Sequence, residues 1–309
     1  MSGPPLRGPI LWTTARPAVR RFVTESRLGR RVALRFVAGE TLEAAIETAE
    51  RLGGEGIRSM LDHLGENVAS QPQCASAADH YVLALKRIEE RPRLECNIAI
   101  KLTQLGLDLS TELCVENAER VLQAAAARGT VVMIDMESHE YVDRTLELLR
   151  LLRRRYDGVG VALQSYLYRT ADDIFSLPEG TPVRLVKGAY LEPPDVAFPK
   201  RADVDRSYAR LFATLASRGH EVHVATHDPT LLAGAAGFVE RRGIPWERIE
   251  LQMLYGIRTD LQREHARRGH PVRTYIPYGE EWYPYLTRRL AERPANVWFF
   301  ASHVLRRGT

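Results

Sequence analysis

Two adjacent arginines, Arg288 and Arg289, stand in the segment GEEWYPYLTRRLAER, with Tyr285 before them and Glu292 after them at spacings of three and four residues. On a helix these four share one side, and two guanidinium groups so flanked can grip a small carboxylate. The same spacing suits a basic face turned to solvent, and spacing alone does not choose between them. A second polar set comprises Asp62, Lys101, Asp135, Gln164, Lys187, Thr226 with His227, Gln252 and Tyr275, all at or just beyond the ends of short apolar runs. Any one of these could be a solvated strand end. Uncompensated charges in a packed interior cost on the order of several kcal/mol each, so this many at equivalent positions imply a polar site. Arg184 differs again, because it lies within PVRLVKG between Val183 and Leu185. It is expected to point inward and to need an anionic or acceptor-rich partner, which a bound cofactor could supply.

Other chemistries are weaker in this sequence. Lys187 or Lys101 could form a Schiff base in a non-redox aldolase or lyase if a neighbouring cation lowered its pKa. His220, His223 and His227 are not expected to bind metal, since His220 and His223 would face opposite sides of a strand and no carboxylate at ligand spacing joins His223 and His227. No H-E-x-x-H, G-x-S-x-G or P-loop pattern occurs. Gly158-Val-Gly160 lacks the third glycine of a dinucleotide fingerprint and reads as turn chemistry.

The elements that must position these residues recur eight times. The runs are GIRSML (56–61), CNIAIKL (96–102), TVVMIDM (130–136), VGVALQ (159–164), PVRLVKG (182–188), EVHVAT (221–226), IELQML (249–254) and PVRTYI (271–276). Amphipathic helices separate them: ENAERVLQAAAARG carries Val121, Leu122 and Ala125 on one face, and YVDRTLELLRLL carries Val142, Leu146, Leu149 and Leu152. Eight strand-helix units without a Gly-rich fingerprint predict an α/β fold, a closed (β/α)8 TIM-type barrel with extra N-terminal helices. One of these is TLEAAIETAERL (41–52), with Thr41 as N-cap and Gly53-Gly54 as the stop. The expected division is an N-terminal helical arm over 1–56, a catalytic barrel over 57–300 and a C-terminal tail over 301–309. In such a barrel the active site lies at the C-terminal mouth, where the polar strand ends gather.

Composition narrows the classes further. The chain has 309 residues, 45% of them hydrophobic, and a formal charge of +4 from 43 basic and 39 acidic side chains, too mixed for a nucleic-acid partner. Cys74, Cys96 and Cys114 are odd in number without C-x-x-C spacing, which argues against a disulfide framework or a zinc site and fits a reducing cytosol. No apolar run reaches the roughly 20 residues that span a bilayer. Residues 1–31 hold seven arginines against Glu25 alone, as a mitochondrial transit segment does, but the region runs directly into helix, which favours a basic bacterial helix instead.

AIKLTQLGLD (99–108), VMIDMES (132–138), VALQSYLYR (161–169), VRLVKGAYLEP (183–193), VATHDP (224–229) and YIPYGEEWYPYLTRRLAERPANVWF (275–299) together resemble the proline dehydrogenase family, from about residue 32 to 300, and LDHLGE (61–66) resembles its first-strand signature. The resemblance implies oxidation of L-proline to Δ1-pyrroline-5-carboxylate by hydride transfer to FAD, the first step of proline catabolism. It implies that Lys101, Arg288 and Arg289 bind the proline carboxylate, that Asp135, Tyr275 and Tyr285 shape the pocket, and that Leu254 packs on the ring. FAD would be held by Met136, Gln164, Arg184, Val186, Lys187, Gly188, Ala189, Thr226, His227, Gln252 and Glu292, with Arg184 beside the reactive flavin nitrogen. Leu191 stands where many relatives carry Trp, and Asp228 where Asn is usual, which alters the expected adenine-side contact and a polar contact near the flavin. A stand-alone enzyme is expected, cytoplasmic with peripheral contact at the inner membrane, passing electrons to membrane quinone and product to a separate pyrroline-5-carboxylate dehydrogenase. A non-catalytic flavin or amino-acid binding protein is the alternative from another class, and the intact Lys101, Asp135, Tyr275 and Arg288-Arg289 set speaks for catalysis.

Overall fold

The structure is a computed structural model that describes residues 16–292 apart from 27, 28, 30, 32, 66 and 67. The first fifteen residues, Glu66, the side chain of Glu292, the end of the last family-like motif and the 301–309 tail therefore lie outside the described residues. Eight parallel strands close into a barrel in sequence order: β1 (Arg58–His63), β2 (Cys96–Ile100), β3 (Val132–Ile134), β4 (Val159–Gln164), β5 (Val183–Val186), β6 (Val222–Ala225), β7 (Ile249–Leu254) and β8 (Val272–Tyr278). Closure runs from Arg58 opposite Arg273 to His63 opposite Tyr278.

The described helices are α1 (Pro17–Glu25), α2 (Leu42–Gly53), α3 (Gln71–Glu89), α4 (Thr111–Ala126), α5 (Val142–Arg153), α6 (Thr170–Asp173), α7 (Arg201–Ser217), α8 (Pro229–Arg242), α9 (Thr259–Arg267) and α10 (Trp282–Glu292). Helix α2 begins where Thr41 accepts from the Ala44 amide, and buries Leu42, Ala45, Ile46, Ala49 and Leu52. That stripe packs on β1 and β8, and a fully buried Ile or Leu contributes about 1.5–3 kcal/mol. Val121, Leu122 and Ala125 of α4 and Val142, Leu146, Leu149 and Leu152 of α5 are buried in the same outer core. These are the helix faces anticipated from periodicity.

Two sequence expectations change. Gln252 and Tyr275 lie inside their strands rather than at the ends: β7 runs to Leu254, where the apolar run IELQML also stops, and β8 runs to Tyr278, two residues past PVRTYI, where Pro277 and Tyr278 pair with Asp62 and His63 of β1. Gly160 is not turn chemistry either. It lies inside β4, where a Cβ would collide with the Met133 sulfur and the Pro182 carbonyl, so its glycine makes room for a buried methionine.

The segment before the barrel supports the mouth. Val23, Ala33, Phe36 and Val37 form a separate core with Trp282, Tyr283, Tyr285 and Leu286 of α10. Arg20 reaches the start of α10 as well, 3.8 Å from Glu281 just before it and 5.9 Å from the Tyr283 ring centroid. The helix that carries Arg288 and Arg289 is thus positioned by residues far away in sequence.

Candidate active site

Inward-facing residues of six strands and their ends meet in one network at the mouth. Lys101, just past β2, is 6% exposed; its Nζ donates to Asp62 Oδ1 of β1 at 2.6 Å and stands 3.8 Å from Asp135 Oδ2. Asp135, just past β3, accepts from the Tyr275 hydroxyl of β8 at 2.6 Å and is ion-paired with Arg184 of β5. Arg184 is 4% exposed, its Nε donates to Gln252 Oε1 of β7 at 3.0 Å, and its guanidinium lies 5.1 Å from the Tyr275 ring centroid. Each inward position follows from the two-residue alternation of its strand: Tyr275 and Arg273 share a face, as do Gln252 and Glu250, and Asp62 and Met60. Met60, Ala99 and Met133 form the apolar layer of the interior, against which Tyr275 packs.

Burial pushes the Asp62 carboxyl above its usual range against the pull of Lys101, and the nearby Asp135 adds to the rise. Burial, reinforced by Asp135, also raises the Tyr275 phenol well above its ordinary value, so it stays a hydrogen-bond donor. Deeper in the barrel, Glu250 accepts from Arg273 Nε at 2.7 Å and Nη2 at 3.0 Å, from Arg58 at 3.3 Å and from Gln252 Nε2 at 2.9 Å. Burial would raise that carboxyl, yet the Arg273 charge outweighs it and holds Glu250 at about 2. An ionised Glu250 keeps the Gln252 amide nitrogen facing down, so the amide oxygen faces Arg184.

The remaining expected residues form the rim. Gln164 Nε2 donates to the Glu137 carbonyl at 3.2 Å, while its buried Oε1 has no hydrogen-bond partner. Lys187 donates to Asp228 at 2.9 Å and is ion-paired with Asp205. His227 Nε2 accepts from the Leu254 amide at 2.9 Å, and the Thr226 hydroxyl accepts from the Asp228 amide at 3.2 Å. Met136 is buried, and Val186, Gly188, Ala189 and Leu254 are half-buried. On α10, which packs against Leu64 and Leu254 at the ends of β1 and β7, Tyr285 is buried, Arg288 and Arg289 are half-buried, and the Arg289 guanidinium stands 5.2 Å from the Tyr285 ring centroid. Of the two departures, Leu191 is 66% exposed, and Asp228 caps α8 by accepting from the Thr230 amide while it holds Lys187.

Three groups escaped the sequence argument. Glu250, Arg273 and Arg58 were legible only as alternate residues of strands whose other members had been singled out. Asp62 appeared as a strand end but not as the partner of Lys101. Glu192, His139 and Tyr166, which tie the rim loops together, carry no periodic signal because they lie in loops. Among the described residues no group of three His, Cys, Asp or Glu side chains could hold a metal ion.

A proline dehydrogenase family model matches residues 45–302. The chain is 40% identical to the proline dehydrogenase of Deinococcus radiodurans over 306 residues, covering 97% of this chain and 98% of that protein. It is 39% identical to proline dehydrogenase 1 of Bacillus subtilis over 283 residues, covering 91% of this chain and 92% of that one. Among solved structures, proline utilization A from Bdellovibrio bacteriovorus inactivated by N-propargylglycine superimposes with a TM-score of 0.80 at 23% identity, a likeness of fold. That match covers 92% of this chain and 36% of the other, so this chain spans about a third of its length. With the family pattern spread over most of the sequence and relatives of matching length at about 40% identity, the chain belongs to the proline dehydrogenase family, oxidoreductases of the first step of proline catabolism.

Proposed function

We propose that this chain converts L-proline to Δ1-pyrroline-5-carboxylate with FAD as the hydride acceptor, in a barrel over 57–300 flanked by the 1–56 arm and the 301–309 tail. The observation that carries the proposal is the convergence of Lys101, Asp135, Arg184, Gln252 and Tyr275 on one buried space. The rim fits a flavin: Gln164 offers a buried acceptor without a partner, and Gly188, with a φ of 122° and the Tyr166 ring where a Cβ would stand, gives the rim loop a backbone shape only glycine adopts easily. Gln164, Arg184, Val186, Lys187, Gly188, Ala189, Thr226, His227 and Gln252 would hold it, with Met136 and Glu292 expected beside them. When bound, the flavin supplies a two-electron acceptor for the hydride.

The chain's own residues bind and orient the substrate. Lys101, Arg288 and Arg289 are assigned to the proline carboxylate, fixing C5 by charge-assisted hydrogen bonds. Asp135, Tyr275, Tyr285 and Leu254 shape the remaining wall. The amine must be unprotonated, because the C5–H bonding pair leaves as hydride while the nitrogen lone pair forms the C=N bond, and a proton is released when the iminium becomes imine. Arg184 would hold the flavin by a fixed positive charge, one that favours its reduced, more anionic form. Both candidate Schiff-base lysines are ion-paired with carboxylates, Lys101 with Asp62 and Lys187 with Asp228 and Asp205, the opposite of the apolar, cation-flanked setting that makes a lysine nucleophilic.

Membrane quinone is proposed as the next acceptor, a separate pyrroline-5-carboxylate dehydrogenase as the consumer of product, and the cytoplasm with peripheral contact at the inner membrane as the location. No described helix is long and apolar enough to cross a membrane. The test is a visible absorption spectrum before and after anaerobic L-proline. A flavin spectrum that bleaches is expected, and a preparation that remains colourless after FAD is added would overturn the proposal.

A further inference from the structure

Glu192 lies in the loop after β5, just beyond the Lys187–Tyr190 stretch, and its side chain is 3% exposed. Its Oε1 accepts from the backbone amide of His139, in the loop after β3, at 2.9 Å and from the hydroxyl of Tyr166, in the loop after β4, at 3.2 Å. Its other oxygen is paired with His139 Nδ1. One buried carboxylate therefore joins three rim loops.

Tyr166 carries the connection into the cofactor stretch. Its backbone amide donates to the Lys187 carbonyl at 2.9 Å, next to a Ser165–Val186 bond at 2.8 Å, and its carbonyl accepts from Phe198 at 2.7 Å. The Tyr166 ring lies against Gly188 so closely that any Cβ there would collide with it. Its oxygen also meets the backbone amide of Tyr190, and burial, reinforced by Glu192, keeps the phenol protonated. A carboxylate buried this deeply is tolerable only while its donors stay in place, so separating the three loops would strand it. Gly188 therefore stands against the Tyr166 ring four residues before Glu192 in the same loop, so the Tyr166–Glu192 hydrogen bond ties the ring that bounds Gly188 to the end of its own loop.

We propose that Glu192 is a positioning residue for cofactor binding: through Tyr166 and His139 it fixes the Lys187–Ala189 backbone in the shape that receives the flavin. The proposal rests on the reading that this stretch holds FAD. It assigns Glu192 no part in hydride transfer or in binding the proline carboxylate.

Flavin-free protein would be titrated with FAD and its dissociation constant measured from quenching of flavin fluorescence, alongside the visible band shape of the bound flavin. Loss of hydrogen bonds to a charged acceptor predicts that Glu192→Ala weakens FAD at least about tenfold and moves the bound spectrum toward that of free FAD. Glu192→Gln, which still accepts from the His139 amide, should recover most of the affinity. Tyr166→Phe keeps the ring against Gly188, removes one donor and should weaken FAD about threefold. Lys187→Ala serves as the control for the underlying reading. If Lys187→Ala weakens FAD while a folded Glu192→Ala binds it as the parent does, the role of Glu192 is refuted and the flavin reading stands. If neither variant changes affinity, the placement of FAD on this stretch falls, and the role of Glu192 falls with it. Should Glu192→Ala fail to fold, an unchanged dissociation constant in Tyr166→Phe decides against the proposal.

Discussion

Replacing Arg184 with methionine removes one charge from the centre of the barrel while keeping much of the side-chain bulk. The guanidinium holds an ion pair with Asp135, a 3.0 Å hydrogen bond to Gln252 and a place over the Tyr275 ring. Breaking a buried pair by deleting one partner costs roughly 3–5 kcal/mol. The low end applies here, because Asp135 keeps the Tyr275 hydroxyl at 2.6 Å and has Lys101 3.8 Å away to move in. The protein should therefore fold with a lowered melting temperature. For the chemistry, one charge-assisted contact favouring reduced flavin is about 1.5–3 kcal/mol. Since about 30 mV corresponds to 1.4 kcal/mol for a two-electron couple, the flavin potential should move about 30–60 mV more negative. Reduction by proline should slow roughly 10- to 150-fold if the whole contribution is felt in the transition state. Dye equilibration reads the potential, and anaerobic stopped-flow absorbance reads the rate. A variant that binds FAD with unchanged potential and reduction rate would make Arg184 a structural residue, and the proposed flavin position would be withdrawn.

Arg288→Ala or Arg289→Ala should raise KM for proline about 10- to 150-fold, the equivalent of one charge-assisted contact, with the flavin potential unchanged; unaltered steady-state kinetics in both would return the pair to the solvent face. Stability should fall as pH drops below about 6.5. Burial, with His80 adding to it, holds His63 at about 3, and burial also lowers His80, His220, His265 and His270. The unfolded chain takes up protons there that the folded one refuses, at about 1.4 kcal/mol per proton per pH unit. Thermal melts between pH 7 and pH 4.5 check this, because Glu250, held at about 2, adds its own loss only below its unfolded value near 4.5; a flat profile would contradict the buried neutral histidines. The thiols of Cys96 and Cys114 are pushed up to about 12 by burial, and Cys74 is also buried with its thiol raised by burial, so a thiol reagent at pH 8 should label none of the three until the protein is denatured.

The barrel was legible because strand and helix faces are local properties. A run such as IELQML fits a buried strand wherever it lies, the Val142, Leu146, Leu149 and Leu152 stripe fits a buried helix face, and Thr41 caps whatever helix follows it. Arg184 could be placed inward for the same reason, since alternation within five residues gives its direction. Choice of partner is not local. Lys101 stands nearer Asp62 than Asp135 only because β1 pairs β2 with Asp62 opposite Ala99, and Tyr275 reaches Asp135 only because the sheet closes. Closure also carried β8 on to Tyr278, so that Tyr275 became an interior residue, and crowded β4 until Gly160 had to make room for Met133. Loop residues depend still more on tertiary structure. Glu192 reads as one more surface acid in LEPPD until three loops fold around it, and Arg288 and Arg289 depend for their position on a segment more than two hundred residues away. The sequence determined which residues face inward and which strand ends are polar, through periodicities a few residues long. Only the closed barrel decided which of those residues touch, because register and closure are set by the packing of the whole chain.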